Sequence, residues 1–199
     1  MADARGKLAR LAARLNDGEL PPLVLMTDDA RLPDPFAAAC GLPQGSLIVL
    51  RARQRGRREE LAGALARIAR ARGLFLSVAD DPELAARLGA DGVHFPEARA
   101  GDLFGWRARR PAWFVTASAH SLQAAARAQT FGADAVFLSP VFATKSHTDR
   151  AVLTPLRLRL MTMQLRVPVY ALGGIDADTV RQLTGAKLAG VAAIGALAI

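Results

Sequence analysis

The 199-residue chain contains little cysteine, few aromatic side chains and no long apolar run. Its single cysteine, Cys40, excludes an internal disulfide framework and fits a reducing compartment. No apolar run approaches the roughly 20 residues that a membrane-spanning helix needs. The N-terminal segment also lacks the basic, apolar and small-residue order of a signal peptide. We therefore expect a cytoplasmic protein that has no membrane partner.

Basic residues outnumber acidic ones, and the formal net charge is +8. Such a charge can indicate nucleic-acid binding. The arginines are scattered over predicted helix faces, however, and two tryptophans and one tyrosine leave little aromatic surface between them. The one basic cluster, RARQRGRR at residues 51–58, follows a predicted strand, so a loop that faces phosphate fits it as well as an RNA-binding patch does. We expect no nucleic-acid partner.

An imperfect repeat organises the chain. The segments GADGV at 89–93 and GADAV at 132–136 each open an apolar run, and a related segment lies at 185–191. Each follows a helical stretch, so its glycine ends the helix and a short turn leads into a strand. The segments lie too far apart for one strand–helix unit and at the right distance for two. The repeat therefore predicts alternating strands and helices.

Eight continuous apolar runs predict eight strands that are buried on both faces. Their ranges are 23–28, 46–53, 74–80, 92–97, 113–120, 135–140, 167–174 and 190–197. Between them, helices are predicted at 58–72, after Asp81 as N-cap, and at 176–183. No linker or low-complexity segment interrupts the pattern. The sequence predicts an α/β protein, a single (βα)8 TIM barrel that spans residues 1–199 as one domain.

The two ends of this predicted barrel differ from a regular one. A leading helix at residues 5–16 is expected to close the barrel bottom. The eighth predicted strand runs to residue 197, so the eighth helix is missing and apolar surface would be exposed. Either the chain lacks its final helix, or the leading helix covers the gap, or a second subunit of a homodimer does so.

Three histidines lie at or near strand ends: His94, His120 and His147. In a β/α barrel the C-terminal strand ends form the rim that carries the chemistry, and histidine exchanges protons near neutral pH. His94 lies inside its apolar run, so we favour a structural, hydrogen-bonded role for it. Ser118 and His120 share one side of the fifth strand, which makes His120 the candidate for proton transfer and leaves His147, in a loop, as its competitor.

Glycines at the rim favour a phosphorylated ligand. The segment VYALGGI ends a strand in Gly173 and Gly174, and Gly195 follows the eighth strand. Such glycines allow backbone N–H groups to approach an anion closely, although two tight turns would need them as well. The loop after the sixth strand, residues 144–147, is rich in hydrogen-bond donors.

Two further rim positions suggest a diphosphate and a metal ion. Arg51 and Arg53 lie two residues apart, so both guanidinium groups point to the same side and match phosphate geometry. Asp80 ends the third strand and can hold Mg²⁺, which takes one or two carboxylates together with phosphate oxygens. A helix-capping pair with Asp81 and no metal is the alternative.

Together these residues resemble the thiamine phosphate synthase/TenI family of (βα)8 barrels. The resemblance is carried by LVLMTD (23–28), LRAR (50–53), GADGVHF (89–95), SAHS (118–121), GADAVFLSPVFATKSH (132–147), PVYALGGI (168–175) and GVAAIG (190–195). It implies a synthase that joins hydroxymethylpyrimidine diphosphate to thiazole phosphate and releases pyrophosphate with Mg²⁺. The alternatives are a TenI-type thiazole tautomerase and a non-catalytic protein that binds thiazole phosphate or thiamine phosphate.

The resemblance also implies residue roles. Arg51 and Arg53 would bind pyrophosphate, Asp80 would bind Mg²⁺, Ser118 would contact the pyrimidine diphosphate, and His120 matches the acid/base of tautomerases. The thiazole phosphate would be held by Thr144, Ser146, Gly173, Gly174, Ile194 and Gly195, with Lys145 and His147 in the same loop.

Several positions depart from the family pattern. Val49 and Ala79 replace a glutamine and an asparagine, and Arg99 lies where a second metal carboxylate is expected. Arg99 would repel Mg²⁺ if it pointed inward, and Glu97 or Asp102 would then be the nearest substitute ligand. Because one lost electrostatic contact can cost about 10²–10³ in rate, we expect weak synthase activity.

Overall fold

Eight parallel strands pair in sequence order and close into a barrel, as the sequence predicts. In this computed structural model, residues 2–16, 18–52, 55–144 and 151–198 are described, with the backbone alone for 2, 3 and 55–57. The strands are β1 Leu23–Met26, β2 Leu47–Leu50, β3 Phe75–Ala79, β4 Gly92–Phe95, β5 Phe114–Ala119, β6 Ala135–Leu138, β7 Val169–Leu172 and β8 Gly190–Ala193. Each strand is shorter than its predicted range, at one end or at both.

Helices or 3₁₀ turns connect the strands. The helices are α1 Ala2–Leu15, α2 Pro35–Cys40, α3 Arg55–Arg72, α4 Pro82–Leu88, α5 Asp102–Arg109, α6 Leu122–Thr130 and α7 Pro155–Thr162. The 3₁₀ turns are Glu97–Arg99, Thr179–Leu183 and Gly195–Leu197. Asp81 caps α4 as predicted, since its carboxylate accepts the N–H of Leu84 at 2.9 Å. No helix in the described ranges is long and apolar enough to cross a membrane.

The predicted helix at 176–183 is wrong: a 3₁₀ turn occupies Thr179–Leu183 instead. The Asp176 carboxylate accepts the backbone N–H groups of Asp178 and Thr179, at 2.9 and 2.8 Å. These are the contacts of an N-capping aspartate, so the predicted start is right and only the α-helical form of the element is wrong. The described segment that connects β7 to β8, residues 173–189, therefore contains no α-helix.

The first helix, α1, covers the gap beside the last strand. It packs against β8, β1 and the 3₁₀ turns that follow β7 and β8. Leu8 and Ala12, four residues apart on one face of α1, are completely buried. The expectation that this helix closes the barrel bottom is wrong, whereas the alternative that it packs beside the eighth strand is confirmed. No second subunit is needed at this position.

The barrel interior contains a layer of aromatic and polar side chains. Strand register places His94 beside Thr116, and Ser118 beside Phe137, which in turn pairs with Tyr170. The Phe137 ring stacks on Tyr170 with centroids 4.7 Å apart and meets the His94 ring edge-on at 4.8 Å. These buried rings fill the barrel interior below the rim.

Candidate functional site

Most of the predicted site residues that the structure describes meet at the C-terminal rim. Arg51 follows β2, Asp80 follows β3, Ser118 lies in β5, His120 follows β5, Gly173 and Gly174 follow β7, and Ile194 and Gly195 follow β8. Thr144 lies in the loop after β6. The remaining predicted residues, Arg53, Lys145, Ser146 and His147, lie outside the described residues.

Arg51 is held at the rim by Asp28, which follows β1. Its guanidinium pairs with the Asp28 carboxylate, which also accepts Nη2 of Arg31 at 3.0 Å. Its backbone N–H donates to the Thr27 hydroxyl at 2.8 Å. Burial opposes ionisation of Asp28, but the two arginines outweigh it and hold the pKa of this carboxyl well below its ordinary value. The arrangement fixes a partly exposed positive charge at the mouth of the barrel.

His94 links the barrel core to the rim. Its ring is 3% exposed, and its Nδ1 and Nε2 lie 2.9 Å from the Thr116 hydroxyl and 2.8 Å from the Ser118 hydroxyl. Burial, aided by the positive charge of Arg51, lowers the pKa of His94 to about 3. The ring is therefore neutral near pH 7 and orients Ser118, which agrees with the structural role predicted for it.

His120 is fixed by its backbone and by one ring nitrogen. Its Nδ1 lies 2.7 Å from the carbonyl oxygen of Ser139, and its backbone N–H donates to the Glu97 carboxylate at 2.7 Å. Because a carbonyl oxygen only accepts, Nδ1 carries a proton and Nε2 retains the lone pair when the ring is neutral. The residue is exposed, so this nitrogen can exchange a proton with a bound molecule.

Asp80 and Arg99 form an ion pair between neighbouring loops. Nη1 of Arg99 lies 2.6 Å from Asp80 Oδ1, while Nε and Nη2 lie 2.7 and 2.6 Å from Asp102 Oδ2. Asp80 adopts φ +60, a left-handed conformation that is uncommon outside glycine, asparagine and aspartate. The two carboxylates raise the pKa of Arg99 above its ordinary value, with Asp102 the larger cause.

The rim glycines differ in their surroundings. Gly173 and Gly174 have φ +98 and +67, and an added Cβ would lie 2.8 Å from Pro140 or 2.6 Å from Phe142. The loop after β6 thus packs directly on these two glycines. This packing, without any bound ligand, is enough to require glycine at both positions. A Cβ at Gly195 would meet nothing within 4 Å, so this backbone position faces open space.

Comparison with known proteins identifies the family. The sequence profile of the TMP-TENI family, described as thiamine monophosphate synthase, matches residues 28–197. The chain belongs to this family. It is 38% identical over 177 residues to the thiamine-phosphate synthase of Methanoculleus marisnigri, covering 86% of this chain and 79% of that one. It is 30% identical over 191 residues to the thiamine-phosphate synthase of Chlorobium luteolum, covering 92% and 88%.

A solved structure supports the same assignment. Thiamine phosphate pyrophosphorylase from Pyrococcus furiosus superposes with a TM-score of 0.76 at 26% identity, covering 92% of this chain and 87% of that one. The thiamine monophosphate synthase family assignment therefore agrees with both the sequence and the closed eight-stranded barrel.

The family is generally Mg²⁺-dependent, but the described residues of this member do not fit a magnesium ion. Mg²⁺ needs oxygen ligands in near-octahedral geometry at about 2.0–2.1 Å. The Asp80 carboxylate is instead paired with Arg99, and Glu97 accepts the backbone N–H of His120. Among the described residues, no group of three or more His, Cys, Asp or Glu side chains is placed to hold a metal ion.

Sequence reasoning missed the residues that anchor the rim. Asp28 follows the first strand, and this position alone is enough to place it at the rim. The Ser139 carbonyl, which fixes His120, is a backbone group and leaves no signal in the sequence. Arg31 reaches this site because residues 28–31 form a turn in which Asp28 accepts the backbone N–H of Arg31 at 3.0 Å.

Proposed function

We propose that this protein is a transferase of the thiamine phosphate synthase type, coupling hydroxymethylpyrimidine diphosphate to thiazole phosphate. One arrangement at the rim carries the proposal. Arg51 is held by the ion pair with Asp28 and lies near the buried His94, and His94 hydrogen-bonds Ser118. A fixed positive charge beside an oriented hydroxyl suits a ligand that joins a diphosphate to a polar ring. Membership of the family supplies the reaction.

In this reaction the thiazole nitrogen attacks the methylene carbon of the pyrimidine, and the carbon–oxygen bond to the diphosphate breaks. Arg51 would bind the leaving diphosphate and stabilise its charge. Ser118 would contact the pyrimidine diphosphate and is kept in position by His94. The backbone at Gly195, together with Gly173 and Gly174, would hold the thiazole phosphate.

The reaction is expected to be slow. Val49 and Ala79 provide no polar contact where the family pattern has amides, and Asp80 is engaged by Arg99. Each lost electrostatic contact to a leaving group can cost about 10²–10³ in rate. We therefore propose a transferase with a rate well below that of typical members.

One observation favours a second candidate, a TenI-type thiazole tautomerase. His120 Nδ1 donates to the Ser139 carbonyl, which leaves Nε2 on an exposed ring with a free lone pair. A tautomerase needs only a base that removes a proton from one atom and returns it to another. His120 would perform both proton transfers without a cofactor.

A pair of assays tests these functions. The protein is incubated with hydroxymethylpyrimidine diphosphate and thiazole phosphate, and separately with the thiazole carboxylate phosphate tautomer, and products are separated by chromatography. Thiamine phosphate formation that falls at least about tenfold in Ser118→Ala, with the exposed Arg109→Gln as control, supports the transferase. Tautomerisation that disappears in His120→Gln and survives in Ser118→Ala supports the second candidate.

The third alternative has its own outcome. If neither product forms at high enzyme concentration while thiazole phosphate still raises the melting temperature, the protein is a binder rather than an enzyme. A turnover rate typical of the family, lost on EDTA addition and in Asp80→Ala, would contradict the expected weak activity.

A further inference from the structure

The guanidinium group of Arg99 is fixed at the rim from three sides. The 3₁₀ turn Glu97–Arg99 follows β4 directly, so the residue starts from a rigid strand end. Its Cζ lies 5.5 Å from the centroid of the buried Phe95 ring, a cation–π distance. Asp80 and Asp102 hold its nitrogens at 2.6 to 2.7 Å. Arg99 is therefore a positioned cation rather than a free surface side chain.

Two further carboxylates of the pocket beside Asp80 are paired with arginines. Asp81, next to Asp80, lies 3.4 Å from Arg58 Nη1. Glu59, which lines the same pocket as Asp80, lies 3.0 Å from Arg87. A divalent cation at this corner would have to displace Arg99 from both Asp80 and Asp102.

The guanidinium group still has hydrogen-bonding capacity. A guanidinium group has five N–H bonds. In Arg99, Nε donates to Asp102, and Nη2 lies 2.6 Å from the same carboxylate. Nη1 donates to Asp80 Oδ1 and, at 3.4 Å, to the Asp80 carbonyl oxygen. The second N–H of Nη2 has no partner among the described residues. With a side chain 42% exposed, Arg99 can donate this bond to an anion from solvent.

A second fixed arginine stands nearby on the rim. Arg51 follows β2 and Arg99 follows β4, and these strands are separated by β3 alone. Strand spacing of about 4.8 Å puts the ends of β2 and β4 roughly 10 Å apart, so a diphosphate placed above the end of β3 would lie between the two arginines. Two planar guanidinium groups match phosphate oxygens better than a single point charge does.

We infer that Arg99 takes the place of the divalent cation in this protein, and that a diphosphate binds between Arg51 and Arg99 without metal. The inference rests on the proposed function only in taking the ligand to carry a diphosphate group. It makes Arg99 a binding residue, although the family pattern has a metal ligand at this position.

Isothermal titration calorimetry with inorganic pyrophosphate tests the inference. The full chain is titrated in EDTA and in MgCl₂, alongside Arg99→Gln and the matched control Arg109→Gln, which removes an exposed arginine at the far end of α5. We expect the parent and the control to bind equally well in both buffers. In EDTA, Arg99→Gln should bind at least about tenfold more weakly, because a charge-assisted hydrogen bond is lost. Mg²⁺ should partly restore binding to this variant, since Asp80 is then free.

Other results would overturn the inference. Binding to the parent that needs Mg²⁺, an Arg99→Gln affinity equal to that of the control, or no binding of pyrophosphate in either buffer each excludes Arg99 as the resident cation. Circular dichroism and melting temperature identify a variant that fails to fold, and Asp102→Asn then serves as a second probe. Freeing donors of Arg99 in that variant should tighten pyrophosphate binding, and weaker binding would contradict the inference.

The two proposals fail separately. Metal-independent pyrophosphate binding without any turnover would remove the transferase function and leave the role of Arg99. Turnover that requires Mg²⁺ would keep the transferase and remove that role.

Discussion

Acid should destabilise this protein through His94, well above the pH at which carboxylates titrate. The ring is buried and bonded to two hydroxyl groups, and its pKa is about 3 in the folded protein, against an ordinary value of 6.5. In the unfolded chain the same imidazole takes up a proton as the pH falls through 6.5. Between these values the unfolded state therefore binds one more proton than the folded state, so stability falls with falling pH.

The size of this effect follows from the shift. Each pH unit below the unfolded pKa costs about 1.4 kcal/mol, so lowering the pH from 7 to 5 should reduce the free energy of unfolding by about 2 kcal/mol. Solvent does not reduce this free-energy difference appreciably, because His94 is only 3% exposed. Asp28 adds its own loss only below about pH 4, where an unfolded aspartate takes up its proton. The part of the slope between pH 7 and 5 that is lost when His94 is replaced therefore measures the contribution of this residue.

Urea unfolding at half-unit pH intervals measures this slope. His94→Gln should be less stable at pH 7 but should show almost no pH dependence in the window, because the titrating group is gone. His120→Gln, which changes an exposed histidine, should retain the slope of the parent protein. If His94→Gln keeps the full slope, or if the parent has none, the assignment of His94 as a neutral buried residue is wrong.

Other substitutions test the packing, the phosphate site and the anchored carboxylate. Leu8→Ala should lower the free energy of unfolding by about 3 kcal/mol, whereas Leu156→Ala, at an exposed leucine, should change it by less than about 0.5 kcal/mol in the same urea assay. Gly195→Val should reduce the rise in melting temperature produced by phosphate while preserving the fold, since its Cβ meets nothing. Gly174→Val should lower the melting temperature even without ligand, because its Cβ would collide with the loop after β6. Asp28→Asn should cost stability at pH 7, and the difference from the parent should shrink below about pH 4, because a depressed carboxyl pKa stabilises only above the unfolded value; a difference independent of pH would contradict this.

The barrel was predictable because its strands are buried on both faces. Runs such as LVLM and LIVL have no polar alternation and can only be internal parallel strands or buried helices, and the repeated glycine turns decide between these. Strand ends were predicted too far, since composition does not show where backbone pairing stops. The position of α1 depends on which part of the barrel surface is not covered by another helix. That surface exists only once the barrel has closed, so the sequence pattern does not show it.

The sequence predicts which residues lie at the rim, but it does not predict which of them form hydrogen bonds or ion pairs with one another. Parity along β5 predicts that Ser118 and His120 share one side of the strand, and in the structure Ser118 hydrogen-bonds His94. That contact, like the contact of Arg99 with Asp80, joins residues of neighbouring strands or loops and depends on their stagger. A single sequence contains no measure of stagger, so the sequence could suggest that Arg99 disturbs a metal site but not that it forms an ion pair there.

The position of α1 has a consequence for synthesis. The ribosome makes this helix before any strand, yet the surface that buries Leu8 and Ala12 includes β8, the last strand to emerge. Until then the apolar face of α1 has no complete partner, and the β1–β8 pairing that closes the barrel is equally delayed. Folding must therefore wait for contacts of maximal sequence separation, which are the slowest to form. A circular permutant that places α1 after β8 would make this docking local, and it should fold faster while keeping the same barrel.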